Sequence, residues 1–330
     1  MASVSTAPGH GAAEAAPPRR SGRTRLNAIG LVVAILALAG LIAVPFFVYP
    51  VFVMSVLCFA LFATAFNLLL GFAGLLSFGH AAFFGGAAYF TAHAVKEWGL
   101  EPLTAVLFGT ICAGLMGLAV GFLAIRRQGI YFAMVTLALS QMIFFIFLQA
   151  PFTHGEDGIQ NVPRGHLLGV IDLSNTLNMY YFTLAIFVLG FLAVWRIVHS
   201  PYGHVLQAIR ENENRAISLG YRVERYKLGA FVMSAAIAGL AGAVKALVFQ
   251  IATLTDVAWQ MSGEVVLMTL LGGMGTILGP SLGAALVITM QNYFATSNVP
   301  VTVIIGVIFV LCVLLFRRGI IGEANRLLKR

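Results

Sequence analysis

The polar side chains able to do chemistry in this sequence are few and widely spaced. His80 lies in a glycine-rich apolar run with Ser77 one turn before it. Such a pair could line a solute path, or it could hold two helices together through a structural hydrogen bond. Lys245 falls toward the end of another apolar run, where a long cationic side chain can snorkel to the membrane surface. Asp256 and Glu264 flank the glycine-broken region that follows, either as external-loop residues or as gate elements. No G-x-x-x-x-G-K-[ST] is present to cradle nucleotide phosphates, and no H-E-x-x-H to hold zinc. Cys58, Cys112 and Cys312 sit singly in apolar stretches, without the spacing of metal ligands or of a disulfide framework. An enzyme needs clustered side chains, so no catalytic and no metal-binding residue is assigned.

The segment 199–227 differs in kind. Apolar Val205, Ile209, Ala216 and Leu219 are interspersed with Arg210, Glu211, Glu213, Arg215, Arg222 and Arg225. That mixture suits two short interfacial helices with a glycine break, a surface on which a partner could dock. A solvated loop with anchoring charges is the competing reading.

The elements that must position these residues are membrane helices. Of 330 residues, 60% are hydrophobic and 10% charged, with a mean hydropathy of +0.93; a soluble domain carries roughly 25% charged residues. Stretches long enough to cross a bilayer occupy 27–48, 51–70, 72–94, 103–125, 130–150, 180–198 and 228–251, then a glycine-broken region 260–297, then 300–317. Backbone polar groups cannot go unpaired in lipid, and no stretch alternates with the period of a barrel strand. The fold class is therefore all-α, a polytopic transmembrane helical bundle of about 8–10 spans, some of them Gly-broken. Residues 1–25, rich in Ala, Pro and Arg, read as a disordered cytoplasmic tail. Residues 26–320 form the transmembrane domain and 321–330 a basic cytoplasmic C-terminal tail. Ala37-Leu38-Ala39 resembles a signal cleavage site, but the apolar run continues to Val48, which favours an uncleaved first helix.

The formal net charge is +8, yet it does not imply nucleic acid. All of the Lys and Arg residues except Lys96, Arg164 and Lys245 fall in blocks around 19–25, 126–127, 196–227 and 317–330, the pattern of the positive-inside bias. Counting crossings from a cytoplasmic N-terminus puts the first three blocks on the cytoplasmic side and 151–179 outside. The last block joins them only if 252–297 contains two crossings. Leu69-Leu70-Gly71-Phe72-Ala73-Gly74 is echoed by Leu270-Leu271-Gly272-Gly273-Met274-Gly275, as an internal repeat would leave, although Leu and Gly matches also arise by chance.

Ala216 followed by Gly220 resembles the Ala…Gly core of the cytoplasmic coupling loop in ABC-importer permeases, where a short helix docks into the ATPase subunit. Ser200-Pro201-Tyr202-Gly203, Arg210-Glu211-Asn212-Glu213 and Ala216-Ile217-Ser218-Leu219-Gly220 are similar to the branched-chain amino acid permease family in particular. Asn214-Arg215 departs from the general loop pattern, which has Glu-Ala. The segments 67–89, 153–159 and 271–280 agree in order and spacing, so the resemblance covers roughly 50–320, and the second of the family's two paralogous permease subunits is the better match.

The resemblance implies ATPase coupling through Arg210, Glu211, Asn214, Ala216, Leu219 and Gly220. It implies a translocation pathway or close helix packing at Gly71, Gly74, Ser77, Gly79 and His80, and again at Gly272, Gly275, Gly279 and Pro280. Binding-protein contact falls to Gly155, Asp157 and Gly158. The implied partners are a homologous permease subunit, two cytoplasmic ATPase subunits, an external solute-binding protein and membrane lipid. ATP and Mg sit on the ATPase partners, and no cofactor is expected on this chain. The implied activity is import of branched-chain amino acids, or of similar small solutes such as urea or amides, across a bacterial inner membrane, with both termini cytoplasmic. A secondary transporter of small amphipathic solutes is the alternative, disfavoured by the scarcity of intramembrane carboxylates.

Overall fold

The computed structural model describes residues 38–294 apart from 168 and 170, together with residues 303, 306, 307, 310 and 319. The chain divides into two units, Met1–Val44 and Pro45–Arg330. In the first, residues 38–43 are helical. The expected tails 1–25 and 321–330, residues 27–37 of the expected first span and most of 300–317 lie outside the described residues.

The second unit is a helical bundle. Its elements are α1 (Pro50–Asn67), α2 (His80–Lys96), α3 (Pro102–Ala124), α4 (Ile130–Gln149), α5 (Thr176–Val198), α6 (Pro201–Glu211), α7 (Glu213–Ser218), α8 (Val223–Phe249), α9 (Trp259–Gly272) and α10 (Gly279–Phe294). Pro50, Pro102 and Pro201 each open a helix, where a missing N–H costs nothing. Helices apolar on every face must be buried in protein or in lipid, and the bundle shows both cases. The span containing α1 is 89% buried and that of α8 72%, whereas α3 and α4 are 33% buried and α5 39%. The first two form the centre; the others turn Leu107, Ile111, Leu115, Phe145 and Leu189 outward, as lipid-facing helices do. These five are long and apolar enough to cross a membrane, and the chain is a multi-pass membrane protein.

Small residues bring the central helices together. On α8, Gly242 lies against the Phe84 carbonyl of α2, so closely that a side chain there would strike backbone. On α3, Gly117 faces Ala235 of α8 at similarly short range. Helices in lipid associate through such packing because no hydrophobic drive separates them from acyl chains.

One expected span is revised, and one region left open by the sequence takes a definite form. The third, expected from residue 72, begins at His80. After Asn67 the first helix loosens into a π-helical turn, Leu68–Ala73, and is stopped by Gly74 in the left-handed region at φ 72°. Residues 74–79 then run without helix. In the broken region, where one interrupted helix or two passes were both open, the described residues 259–294 form an antiparallel helical hairpin. Gly273 (φ 116°) and Gly275 (φ 74°) turn the chain between α9 and α10, and the backbone of Gly272 lies directly on that of Gly279 and Pro280. At 14 residues α9 rises roughly 21 Å, short of the ~30 Å hydrocarbon thickness.

The bundle has two distinguishable ends. At one, Gln128 between α3 and α4 donates to Glu213 of α7 at 3.1 Å, so 126–129 and the 199–222 loop share that end. At the other, Lys96 donates to the Gln160 carbonyl at 3.0 Å, and Arg164 to those of Leu247 and Val248 at 3.3 and 2.7 Å. The segment 150–175 therefore covers the opposite end. It contains two 3-10 turns, Pro151–Thr153 and Gly155–Asp157, and short antiparallel pairs: β1 (Ile159–Gln160) with β4 (Ile251–Ala252), and β2 (His166–Leu167) with β3 (Ile171–Asp172).

Candidate functional site

The 199–222 loop is built as two short helices. Ser200 caps α6 by accepting from the Gly203 N–H at 3.3 Å, and Asn212 caps α7 by accepting from the Arg215 N–H at 3.0 Å. The break between them falls at Asn212, extended at φ −155°, rather than at a glycine. Gly220, at φ 86°, instead ends α7 and turns the chain toward α8. Ala216 points inward and packs with Ile209 and Val223. Ile217, Leu219 and Tyr221 point outward, 55%, 71% and 41% exposed. A six-residue helix thus offers an apolar knob to whatever lies below it.

The loop is tied firmly to the bundle. Lys227, nearly buried at the start of α8, pairs with Glu213 at 2.6 Å. The Tyr202 hydroxyl donates to the Tyr226 carbonyl at 2.6 Å. Burial, and then the neighbouring Tyr226 phenol, push the Tyr202 hydroxyl up to about 12, so it stays a donor at physiological pH. The Arg210 guanidinium donates to the Gly71 carbonyl in the π-helical turn. Glu211 and Asn214 are exposed; Glu211 lines an open cleft of about 370 Å³ with Gly71, Gln207, Arg210 and Gly275.

Around Arg210 the two echoed glycine segments meet. Asn67 accepts from the Gly275 N–H at 3.1 Å and donates to the Thr276 carbonyl at 2.8 Å. Gly71 lies against Asn67 and Gly275, and the Arg210 stem crosses over Gly74, where a Cβ would come within 2.9 Å of Cγ. Gly71, Gly74 and Gly275 are therefore small because a guanidinium and an amide must pass between them. Gly272, Gly279 and Pro280 close the α9–α10 turn. Ser77 and Gly79 sit together upstream of α2, where Ser77 accepts from the Gly79 N–H at 3.2 Å.

His80 is wholly buried at the start of α2. Its Nε2 lies 2.8 Å from the Ser234 hydroxyl, which donates its own proton to the Ala65 carbonyl at 2.6 Å. The serine proton is committed, so Nε2 must carry the hydrogen, and Nδ1 is left as an unpaired acceptor ringed by Phe66, Phe83 and Phe231. The arrangement is that of a structural histidine joining α2, α8 and α1.

Lys245 does not snorkel. It forms an ion pair with Asp256, whose side chain is 3% exposed, and its ammonium lies 5.8 and 5.7 Å from the rings of Phe84 and Phe249. Asp256 lies in the 3-10 turn between α8 and α9 and is not free: Thr253 donates to its other oxygen at 3.2 Å. Glu264 accepts from Gln291 of α10 at 3.2 Å. Among the described residues no group of three His, Cys, Asp or Glu gathers as metal ligands would.

At the opposite end, Gly155 and Gly158 (φ 61° and 67°) flank the short 3-10 turn that carries Asp157. Gly158 lies against the Ala252 carbonyl, so this segment is seated on the turn between α8 and α9. Further along it, the Asp172 carboxyl is held below the usual carboxylate range, chiefly by the Ser174 backbone N–H and hydroxyl. Asn67, the Lys245–Asp256 pair and the Glu213–Lys227 pair were not picked out from sequence; a lone polar residue inside an unbroken apolar run was the available signal for the first.

The family model for the permease component of branched-chain amino acid transport systems matches residues 48–316. The chain is 27% identical to the high-affinity branched-chain amino acid transport system permease protein LivM of Escherichia coli K12, over 80% of this chain and 67% of that one. It is 26% identical to the ribose import permease protein RbsC of Bacillus subtilis 168, over 67% and 70%. It is 27% identical to the autoinducer 2 import system permease protein LsrC of Salmonella typhimurium LT2, over 60% and 56%. No solved structure matches.

Proposed function

The chain belongs to the branched-chain amino acid transport system permease family, and from that premise we propose that it is the membrane-spanning subunit of an ATP-driven importer for branched-chain amino acids or similarly small amphipathic solutes. The observation that carries this reading is the loop 199–222. It presents Ile217, Leu219 and Tyr221 to solvent while Ala216, Arg210 and Glu213 bind it to the transmembrane helices. An exposed apolar knob on a rigid mount suits docking of a separate motor, and the chain itself has no P-loop.

The complex would hold a second, homologous permease and two cytoplasmic ATPases that bind ATP and Mg, with a solute-binding protein on the 150–175 segment. The 199–222 end, beside Arg126 and Arg127, then faces the cytoplasm of a bacterial cell, in keeping with the positive-inside bias. Both termini would be cytoplasmic; Gly319, packed on Gly273 at the same end as Arg210, supports this for the C-terminal side. The solute is the finer point. The relatives named above are named for import of branched-chain amino acids, ribose or autoinducer 2, and the amino-acid permease of Escherichia coli aligns over 80% of this chain, against 67% and 60% for the other two.

The test is purification of the tagged chain from its native host in mild detergent, with co-purifying chains identified by mass. A second permease and two P-loop ATPases are expected, with leucine uptake into proteoliposomes driven by ATP. A lone chain or homodimer, whose uptake collapses with the proton gradient although ATP is present, would overturn the importer in favour of a secondary transporter.

A further inference from the structure

Arg210 was expected among the residues of ATPase coupling; it is exposed, but its guanidinium is turned toward the bundle. Its guanidinium reaches the Gly71 carbonyl, in the π-helical turn that continues α1, which the stop at Gly74 leaves without an ordinary helical partner. A cation at a helix C-terminus is also favoured by the macrodipole. A Cβ added to Gly275 would come within 3.3 Å of the same guanidinium nitrogen and 3.4 Å of the same carbonyl. Asn67 closes the arrangement: it spends both its carbonyl and its amide on the backbone of Gly275 and Thr276, in the turn between α9 and α10. The central helix α1, the α9–α10 hairpin and the loop helix α6 thus converge on two side chains. The pocket that admits them is framed by Gly71, Gly74 and Gly275.

We infer that Arg210 and Asn67 form a strut that makes α6 and the two glycine turns a single moving body, so that displacement of the 199–222 loop is delivered directly to the ends of α1 and of the α9–α10 hairpin. Arg210 is on this account a positioning residue, acting through its contact with the Gly71 carbonyl of this chain. The inference rests on the importer reading for the source of the displacement, but not for the strut itself. The mount has polar ties elsewhere, at Glu213–Lys227 and Tyr202–Tyr226. Those hold the loop to α8; among the described residues of the loop, Arg210 is the one that hydrogen-bonds to the glycine turns.

The test uses the whole complex, with spin labels at His204→Cys on the exposed face of α6 and Met274→Cys in the hairpin turn, in a chain otherwise free of cysteine. With Arg210 present, one narrow distance is expected, the same in nucleotide-free and ATP-trapped complexes. Arg210→Ala should broaden it, and so should Arg210→Lys, since an ammonium lacks the planar fork that spans from the α6 stem to the carbonyl. Asn67→Ala should act likewise, and the double variant should be no worse than either single one, as members of one unit behave. In the same variants the ATP hydrolysed per leucine carried should rise about 3- to 30-fold while the ATPase subunits still co-purify. A distance that changes between the two states in the unaltered chain would overturn the strut. So would Arg210→Ala with unchanged width and ATP cost. If no ATPase subunit co-purifies with the unaltered chain, the importer reading fails, yet the distance and its dependence on Arg210 are still measured in the lone chain.

Discussion

Lys245 and Asp256 show how much a single residue can cost in this protein. Both are largely withdrawn from water, and each is the other's counter-charge. Removing one partner of a buried pair typically costs about 3–5 kcal/mol, because the survivor remains charged where it cannot be hydrated. Asp256→Asn is expected to lower the thermal unfolding midpoint of the detergent-purified chain sharply. Lys245→Met with Asp256→Leu should recover most of the loss, since an apolar pair of similar volume carries no desolvation penalty. A double variant as unstable as the single one would show that the pair does more than neutralise itself. Gly74→Ala should also destabilise, by about 1–3 kcal/mol for a side chain in the left-handed region, with Arg210 forced aside as well. The sequence displays Lys245 and Asp256 as isolated charges, but not their meeting, which depends on the reversal at Gln250 (φ 56°). Asn67 is silent for a different reason: an amide within an apolar run declares that it needs partners, not where they are.

At the scale of elements, α7 is the piece whose outer face has least to do with the chain's own stability. Leu219 is exposed, and a Cβ on Gly220 would meet nothing within 4 Å. Leu219→Glu should therefore leave folding and yield unchanged while ATPase co-purification and uptake fall together. Gly220→Arg adds backbone strain at φ 86° and should uncouple ATP hydrolysis from uptake. Normal uptake in both variants would remove this loop from the motor interface. The α9–α10 turn is the opposite case. Gly272→Leu would drive a side chain into the Gly279–Pro280 backbone, so loss of properly assembled protein is the expected result, read by size-exclusion profile. The long spans were legible from hydropathy because length and apolar composition alone define them. The π-helical turn after Asn67 was not, since Leu-Leu-Leu-Gly-Phe-Ala continues the apolar pattern without interruption and only Gly74 marks the stop. The glycines of 272–279 signalled a break, and the echo of 69–74 allowed a turn between two helices there, but glycine spacing alone could not choose between a turn and one interrupted helix.

For the molecule as a whole, the strongest consequence of the fold is its two-endedness. Gln128, Glu213 and Arg210 fix the 126–129 turn, the 199–222 loop and the 273–278 turn at one end, while Lys96 and Arg164 fix the 150–175 segment at the other. The blocks at 126–127 and 196–227 were expected on one side, and these two do share an end, because loop charge is readable without any knowledge of packing. They left the last third open; there the chain turns back between α9 and α10, which brings the 273–278 turn to the end that holds Arg210. Sidedness in the membrane can then be tested with single cysteines at three exposed positions in a chain lacking Cys58, Cys112 and Cys312. An impermeant maleimide applied to cells with a permeabilised outer membrane should label Ser174→Cys, and label Ser218→Cys and Met274→Cys only after lysis. Labelling of Met274→Cys from outside would break the link between the hairpin turn and Arg210. A full inversion of the pattern would place the α7 knob where no ATP-driven partner could reach it, and the importer assignment would fall with it.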